Sequence, residues 1–218
     1  MTDKKQAIFC DFDGTFASRD VGYRLFKHFS DGKNDEIVAA WKAMKISSRE
    51  CLLEEARMVR ASESEIKSFL DQFELRPGAA EFYHEVTRRN IPFYIVSDGI
   101  DLYLDYILEK NGLGKIKRFC NHGIVKDSRL RLEFPYDNHG CPRCGCCKGA
   151  RIGDIIGPNP SIWQVIFIGD GLSDLCALPR SNLIFARGDL LDYCQANSIS
   201  AIEYQNFFDI MNYLKMSG

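Results

Sequence analysis

The sequence lacks both a long hydrophobic run and an excess of charge of either sign. Its 218 residues include 28 Lys and Arg against 30 Asp and Glu, which gives a formal net charge of −2. This balance gives no support to nucleic-acid binding through a basic surface, and no window approaches the length of a membrane span. No long apolar stretch follows the first lysines. We therefore expect a cytoplasmic protein with neither nucleic acid nor membrane among its partners.

Histidine is also scarce, whereas cysteine is not. His28 and His84 fall in helical patterns, His122 and His139 lie nearer the polar segments, and we expect none of the four to be catalytic. The nine cysteines suit reduced thiols or metal binding better than a disulfide framework in a chain of this size. A hydrophobic content of 45% is enough for one core, or for one core with a small appendage.

Short apolar runs alternate with helical patterns along most of the chain. Polar residues or glycine follow each run at once, and between the runs apolar residues recur three or four positions apart. This alternation predicts a parallel α/β sheet, in which ligands gather at the carboxyl ends of the strands. The predicted strands are residues 7–10, 92–96, 165–168 and 183–186, and the clearest predicted helices are residues 78–89, 102–109 and 190–196.

Two segments depart from the alternation. Residues 21–73 have helical spacing throughout, which predicts three or four helices with no strand between them. An insert at this place would lie as a lid over any site that the first strand carries. Residues 119–134 predict a β-hairpin that turns at Asp127 and Ser128.

The segment Asp11-Phe12-Asp13-Gly14-Thr15 is the chief candidate for chemistry, because it follows the first predicted strand. Side chains two positions apart leave the same side of an extended backbone, so both carboxylates could face one substrate. One could attack a phosphate group while the other moves a proton, and two acids this close imply a cation, for which we expect Mg²⁺. An ordinary turn is the alternative, and an EF-hand loop fits less well because later ligands are missing.

Residues far along the chain support phosphate chemistry. Asp11, Ser97 and Asp170 each stand just past a predicted strand, so three distant segments would converge on one crevice. Lys148 and Asp174 complete this set of candidates.

In order and spacing these residues resemble the four motifs of the haloacid dehalogenase superfamily, in its phosphohydrolase branch with a helical cap after the first motif. Residues 11–15 match the first motif, Ser97 the second, Lys148 the third and residues 169–174 the fourth. The resemblance covers essentially the whole chain. It implies a Rossmann-like parallel sheet flanked by helices, with an inserted α-helical cap and a small β-hairpin. The implied division is a catalytic core of residues 1–16 and 77–218 and a cap of residues 17–76.

The same resemblance implies roles for individual residues. Asp11 would attack phosphorus to form an aspartyl-phosphate, and Asp13 would protonate the leaving oxygen and then activate water. The implied phosphate-binding residues are Thr15, Ser97, Gly99 and Lys148, and the implied Mg²⁺ ligands are Asp11, Asp13 through its carbonyl oxygen, and Asp170, with Asp174 in support.

A closer resemblance is to the methionine-salvage phosphatases, carried by residues 91–97, 120–122, 144–148 and 185–187. It implies 2-hydroxy-3-keto-5-methylthiopentenyl-1-phosphate as the substrate. For the assembly we expect a monomer or a homodimer. Phosphoserine, phosphoethanolamine and phosphocholine remain alternative substrates, and a non-catalytic metal-thiolate or phosphate-binding module is the alternative of another class. Candidate substrate contacts are Asp20 and Arg57 in the insert, and Asp98, which stands where that family typically has a small residue.

The run Cys141-Pro-Arg-Cys144-Gly-Cys146-Cys147 resembles half of a zinc knuckle. Further ligands could come from Cys147, His139, His122 or Cys120, so zinc is a second candidate cofactor. The alternatives are reduced cysteines that pack a tight flap, or a redox-labile pair.

Overall fold

The computed structural model describes residues 4–216, which form one seven-stranded sheet flanked by helices. The strands are β1 Lys5–Cys10, β2 Phe93–Ile100, β3 Lys117–Lys126, β4 Arg129–Glu133, β5 Trp163–Gly169, β6 Leu183–Ala186 and β7 Ile202–Glu203. Their order across the sheet is β4-β3-β2-β1-β5-β6-β7, and all neighbours are parallel except β3 with β4. The predicted α/β class is confirmed.

The central strand β1 is apolar on both faces, as expected for a parallel strand with helices on either side. Ile8 and Cys10 belong to the larger core, whereas Ala7 and Phe9 belong to the second core on the opposite face. All four side chains are fully buried. Their alternation follows from the two-residue period of a strand, and it fixes the direction in which β1 delivers the chain to Asp11.

The α-helices of the described residues either flank the sheet or form the insert. They are α1 Val21–Phe29, α2 Asp35–Lys42, α3 Ser48–Met58, α4 Glu63–Leu70, α5 Ala79–Arg88, α6 Asp101–Lys110, α7 Lys148–Ile156, α8 Gly188–Ala196 and α9 Phe207–Tyr213. Short 3₁₀ segments cover Pro160–Ile162 and Leu172–Arg180. In the described residues no helix is long and apolar enough to cross a membrane.

The insert consists of α1 to α4, which agrees with the helical spacing of residues 21–73. Helices α1, α3 and α4 begin at residues whose side chains accept from backbone N–H groups that have no partner inside the helix. Ser47 and Ser62 each form a reciprocal capping box with the glutamate three residues later. The end of α3 reaches the hairpin, where the backbone N–H of Ala61 donates to the Ser128 carbonyl at 3.1 Å.

Two strand expectations have different outcomes. The hairpin of β3 and β4 turns at Asp127 and Ser128, which both have positive φ (51° and 55°), as a two-residue type I′ turn requires. The expectation that Ser97 lies just past a strand is wrong. Strand β2 continues to Ile100, with an irregular register between Val96 and Ile100, so Ser97 lies inside the strand at this irregularity.

Candidate active site

Asp11 lies at the point where β1 ends and the chain turns sharply. The turn over Phe12–Phe16 closes when the backbone N–H of Phe16 donates to the Asp11 carbonyl at 3.2 Å. Gly14 has a φ of +68°, and a Cβ there would lie 2.2 Å from Asp170 Oδ2, so only glycine fits. Buried Arg76 donates to the carbonyl oxygens of Thr15 (2.9 Å) and Gly14. The guanidinium therefore holds the acidic turn in place from behind.

Lys148 brings a positive charge to the nucleophile candidate. Its Nζ lies 2.7 Å from Asp11 Oδ1, also contacts Asp174, and donates to Ser173 Oγ at 3.1 Å. Burial opposes its charge, but Asp11 and Asp174 outweigh burial and raise the pKa of Lys148 above its usual value. Burial raises the pKa of Asp11 well above its usual range, although Lys148 acts in the opposite direction.

Asp170 and Asp174 follow β5 on the same side of the cluster. Thr15 Oγ1 donates to Asp170 Oδ1 at 2.7 Å, and Asp174 Oδ2 accepts from the backbone N–H groups of Asp170 (2.9 Å) and Gly171 (3.0 Å). Burial, followed by the charge of Asp174, raises the pKa of Asp170 to about 7. Carboxylate oxygens of Asp11, Asp170 and Asp174 lie within 4.8 Å of one another. This donor set fits a small hard cation such as Mg²⁺.

The second carboxylate of the acidic turn has different partners. Asp13 Oδ1 accepts from the backbone N–H groups of Val21 (2.8 Å) and Gly22 (3.0 Å), at the start of α1. Tyr103 OH donates to Asp13 Oδ2. Burial, helped by the charge of Asp20, raises the pKa of Asp13 to about 7, against these hydrogen bonds. A carboxyl group with this pKa can give up or take a proton near neutral pH.

Ser97, Asp98 and Gly99 come from the irregular part of β2. All three line the same cavity as Asp11, and Ser97 Oγ accepts from the backbone N–H of Gly99 at 3.0 Å. Asp98 is also linked to the cysteine run, because its Oδ1 accepts a hydrogen bond from the backbone N–H of Cys146 at 2.7 Å. Burial raises the pKa of Asp98, and its Oδ2 has no hydrogen-bond partner among the described residues.

The acids open into a cavity of about 480 Å³ that the insert covers. Asp20 caps α1 by accepting from the Tyr23 N–H at 2.8 Å, and it lines this cavity. Arg57 does not line it, so the expectation that Arg57 contacts the substrate is wrong. Glu55 lies on the cavity side of α3. Side chains two positions apart on a helix differ in direction by about 200° around the helix axis, so Arg57 points away from the cavity. Its side chain is 69% exposed and pairs with Glu54.

The cysteine run is arranged differently from the predicted half-knuckle. Cys141, Cys144 and Cys147 meet Cys176, whereas buried Cys146 is outside this group. The other proposed ligands are engaged elsewhere or lie apart: His122 pairs with Asp101, His139 with Asp154, and Cys120 is buried on β3.

Comparisons with known proteins agree with this geometry. The family model for haloacid dehalogenase-like hydrolases matches residues 8–179. This chain belongs to the haloacid dehalogenase-like hydrolase family. A curated relative from Bacillus pumilus, named 2-hydroxy-3-keto-5-methylthiopentenyl-1-phosphate phosphatase, is 32% identical over 95% of this hydrolase and 90% of the relative. A relative of the same name from Exiguobacterium is 30% identical over 95% and 96%.

A solved structure of phosphoserine phosphatase with an analogue of its phospho-aspartyl intermediate has the same fold as the hydrolase. The TM-score is 0.74 at 21% identity, over 96% of this chain and 99% of that one. The prediction of a phosphatase from this superfamily is confirmed by the family match and by the names of the relatives.

Several residues around the hydrolase site could not be assigned to it from the sequence. They include Arg76, Tyr103, Ser173 and Cys176. Ser173 and Cys176 had a usable signal, because they flank Asp174 in the fourth motif. Arg76 and Tyr103 had none, because Arg76 lies 61 positions from Thr15 in the chain and Tyr103 lies 90 positions from Asp13.

The buried carboxyl group of Glu55 should make the stability of the protein depend on pH. Glu55 is 4% exposed, and Asn34 Nδ2 donates to its Oε1 at 2.9 Å. Burial raises its pKa from 4.5 to about 7, so between these pH values the unfolded chain releases a proton that the folded chain keeps. Glu55 stabilises the fold most at low pH, and this contribution falls by about 3 kcal/mol as pH rises to 7.

We therefore expect Glu55→Gln to remove this loss. Denaturant unfolding of magnesium-free protein at pH 5 and pH 8 should show a smaller fall for the variant than for the wild type. Glu54→Gln, on the exposed side of the same helix, is the matched control and should keep the wild-type pH dependence. Equal pH dependence of Glu55→Gln and the wild type would contradict the prediction.

Proposed function

We propose that this hydrolase is a Mg²⁺-dependent phosphomonoesterase that acts through an aspartyl-phosphate on Asp11, and that its substrate is 2-hydroxy-3-keto-5-methylthiopentenyl-1-phosphate. The observation that carries the proposal is the pairing of Asp11 with Lys148 beside a cavity whose insert side is largely apolar. The names of the relatives from Bacillus pumilus and Exiguobacterium support the choice of substrate.

In the proposed reaction, Asp11 attacks phosphorus in line and displaces the alcohol oxygen. Asp13 gives a proton to that oxygen and later takes one from the water that cleaves the acyl-phosphate. Hydrogen bonds from the start of α1 and from Tyr103 hold Asp13 in position for both transfers. Lys148 and Ser97 stabilise the negative charge of the transferring group. Thr15, whose hydroxyl binds Asp170, and Gly99 belong to the same phosphate site.

The proposed cation site is the cluster of Asp11, Asp170 and Asp174, with the carbonyl oxygen of Asp13 as a further donor. Two buried carboxylates, Asp11 and Asp174, and the half-buried Asp170 share one lysine. This leaves an excess of negative charge, which a divalent cation would neutralise. A Mg²⁺ ion bound there would neutralise this charge and polarise the phosphate. Asp174 supports the site by holding Lys148 and the backbone of Asp170 and Gly171. Zinc at the cysteines is a separate proposal.

The cavity lining favours a substrate with an apolar tail. A thioether chain packs well against aliphatic and aromatic side chains, whereas phosphoserine carries a carboxylate that needs a cation. Among the lining residues, all taken from the described part of the chain, Lys42 is the only cation, and it is exposed. The apolar lining from the insert includes Phe26, Val38, Ala39, Trp41, Cys51 and Leu52.

A second candidate substrate class is favoured by the acids of the lining. Asp20, Asp35 and Glu55 lie on the insert side of the cavity, and Asp98 on the sheet side. Carboxylates beside aromatic rings attract an ammonium group, so phosphoethanolamine and phosphocholine are the next substrates to test. A non-catalytic binding module is the alternative of another class.

The division of the chain belongs to the same proposal. Residues 1–16 and 77–218 form the catalytic core and residues 17–76 the cap, which opens and closes over the cavity. Residues 1–3, 217 and 218 of the core lie outside the described residues. A small metabolite as the partner, a monomer or homodimer as the assembly, and the cytoplasm as the location complete the proposal.

A substrate panel tests the proposal. Wild type and Asp11→Asn are compared with Mg²⁺ on the methylthiopentenyl phosphate, phosphoserine, phosphoethanolamine and phosphocholine, with phosphate release measured for each. We expect the highest kcat/KM for the methylthiopentenyl phosphate. If phosphoethanolamine or phosphocholine were preferred, the substrate assignment would be wrong and the phosphatase would remain. If the wild type matched Asp11→Asn on every compound, the enzyme assignment itself would fail.

A substitution of Trp41 tests whether the apolar lining of the cavity contacts the tail of the substrate. Trp41 lines the cavity from α2, where its Nε1 donates to Ser48 Oγ at 2.9 Å. We expect Trp41→Ala to lower kcat/KM for the methylthiopentenyl phosphate about tenfold or more, mainly through KM, because one apolar contact is worth about 1–3 kcal/mol. Phosphoethanolamine, which has no apolar tail, should be affected much less. Trp41→Phe should restore most of the loss, and equal losses on both substrates would contradict the proposed tail contact.

A further inference from the structure

Four cysteines meet beside the active site, although only three of them are close in sequence. Cys141, Cys144 and Cys147 come from the loop before α7, and Cys176 comes from the 3₁₀ segment Leu172–Arg180. All four Sγ atoms lie within 4.8 Å of one another. Cys176 Sγ is 3.8 Å from both Cys141 Sγ and Cys144 Sγ.

These spacings match a tetrahedral metal site and not a disulfide. Four thiolates at the usual zinc–sulfur distance of about 2.3 Å place neighbouring sulfurs about 3.8 Å apart. A disulfide needs a separation of about 2.05 Å, and all nine cysteines are free thiols. We infer that Cys141, Cys144, Cys147 and Cys176 form a Cys₄ site for a structural Zn²⁺ ion.

The loop that carries three of the ligands is held in shape by Asn138. Its side-chain amide donates to the carbonyl oxygens of Cys144 (2.8 Å) and Gly145 (2.9 Å), and its Oδ1 accepts from the backbone N–H of Cys147 at 2.8 Å. The Cys141 N–H donates to the Asn138 carbonyl at 3.0 Å. The sulfurs are therefore oriented by the protein before any ion binds, which is the role of outer partners in metal sites.

The donor set selects the ion. Tetrahedral sites of four thiolates suit zinc or iron, and zinc suits a hydrolase because it brings no redox chemistry. Four protein ligands leave no open position for water or substrate, so the ion would stabilise structure and take no part in the reaction. Cys146, the cysteine of the run that lies outside the group, hydrogen-bonds to Asp98 instead through its backbone N–H.

The four cysteines lie on the two segments that carry Lys148 and its partners Ser173 and Asp174. Cys147 directly precedes Lys148, and Cys176 follows Ser173 and Asp174, which are the two residues that Lys148 contacts besides Asp11. A Cβ on Gly149 would lie 2.1 Å from the Cys176 carbonyl oxygen, so the two segments already touch through their backbones. Zinc would join the third and fourth motifs and fix Lys148 against the acids.

Metal analysis of the whole protein tests the site. Protein purified with reductant and supplied with zinc should contain one zinc per chain, and X-ray absorption should find four sulfur ligands at about 2.3 Å. Cys144→Ser and Cys176→Ser should lose the zinc, whereas the matched variant Cys146→Ser should keep it. Asp11→Asn should bind zinc as the wild type does, so this result is independent of the proposed function.

Thiol alkylation of the wild-type protein tests the zinc site without any variant. Alkylation followed by peptide mass spectrometry should find the four cluster thiols protected in the zinc-loaded protein and modified after chelation, with Cys146 unaffected by chelation. Iron in place of zinc, less than half an equivalent of zinc after loading, or disulfide-linked peptides from reduced protein would each overturn the inference. Equal loss of zinc from folded Cys146→Ser and folded Cys176→Ser would overturn the choice of ligands.

Discussion

Asp11→Asn is expected to lower phosphatase turnover by at least about 10⁴-fold, the size of loss seen when a covalent nucleophile is removed. An amide cannot attack phosphorus to form the acyl-phosphate, and it also removes one carboxylate from the cation cluster with Asp170 and Asp174. Steady-state phosphate release with saturating Mg²⁺ measures the effect. Trapping of a phosphorylated chain after rapid acid quench should succeed for the wild type and fail for the variant.

The fold should survive this substitution. Burial raises the pKa of Asp11, which means that the fold disfavours its charge, so a neutral amide relieves that cost in magnesium-free protein. We expect the melting temperature without Mg²⁺ to stay the same or rise. Asp192→Asn, an exposed substitution on α8, should keep full activity and stability. Retention of more than a hundredth of the activity by Asp11→Asn would rule out its role as nucleophile.

Asp13→Asn is expected to cost about 10²–10⁴-fold on an alkyl phosphate, the usual contribution of a general acid or base. The amide oxygen can still accept from the N–H groups of Val21 and Gly22, so the start of α1 should stay in place. The proton for the leaving oxygen is lost. An aryl phosphate with an acidic phenol needs little protonation, and its first step should be affected much less.

This difference gives a kinetic signature that a merely structural role would not produce. With the aryl phosphate, Asp13→Asn should release a burst of phenol approaching one equivalent per site and then turn over slowly, because the base for the second step is missing. Rapid-mixing absorbance measures the burst. Equal losses on alkyl and aryl substrates, with no burst, would contradict the role of Asp13 in proton transfer.

The order of strands and helices could be predicted because the local spacing of apolar residues differs between strands and helices. Residues 7–10 are apolar and buried on both faces. In the insert, α1, α3 and α4 bury apolar residues at helical spacing and have capping residues at their starts. The positions at which strands end were harder to predict from the sequence. Ser97 looked like a residue beyond a strand because polar residues begin there, but pairing with β3 extends β2 to Ile100.

The acidic turn and its distant partners could also be predicted, because motif order and strand ends bring them to one edge of the sheet. Arg57 shows the limit of this approach. Its charge and its place in the insert suggest a substrate contact. The direction of its side chain, however, depends on which face of α3 packs inward, and that face carries Glu55. Tyr103 was missed because its hydroxyl meets Asp13 across ninety positions of chain.

The sequence alone determined the α/β class, the hairpin, the helical insert and the four segments that carry Asp11, Ser97, Lys148 and Asp170, because these depend on periodicity and on residues adjacent in the chain. Only the tertiary structure decided which side chains face each other. It replaced Cys146 by Cys176 in the cysteine group and placed Glu55, not Arg57, at the cavity. The physical reason is that contacts between distant segments depend on packing and register, which a local pattern does not encode.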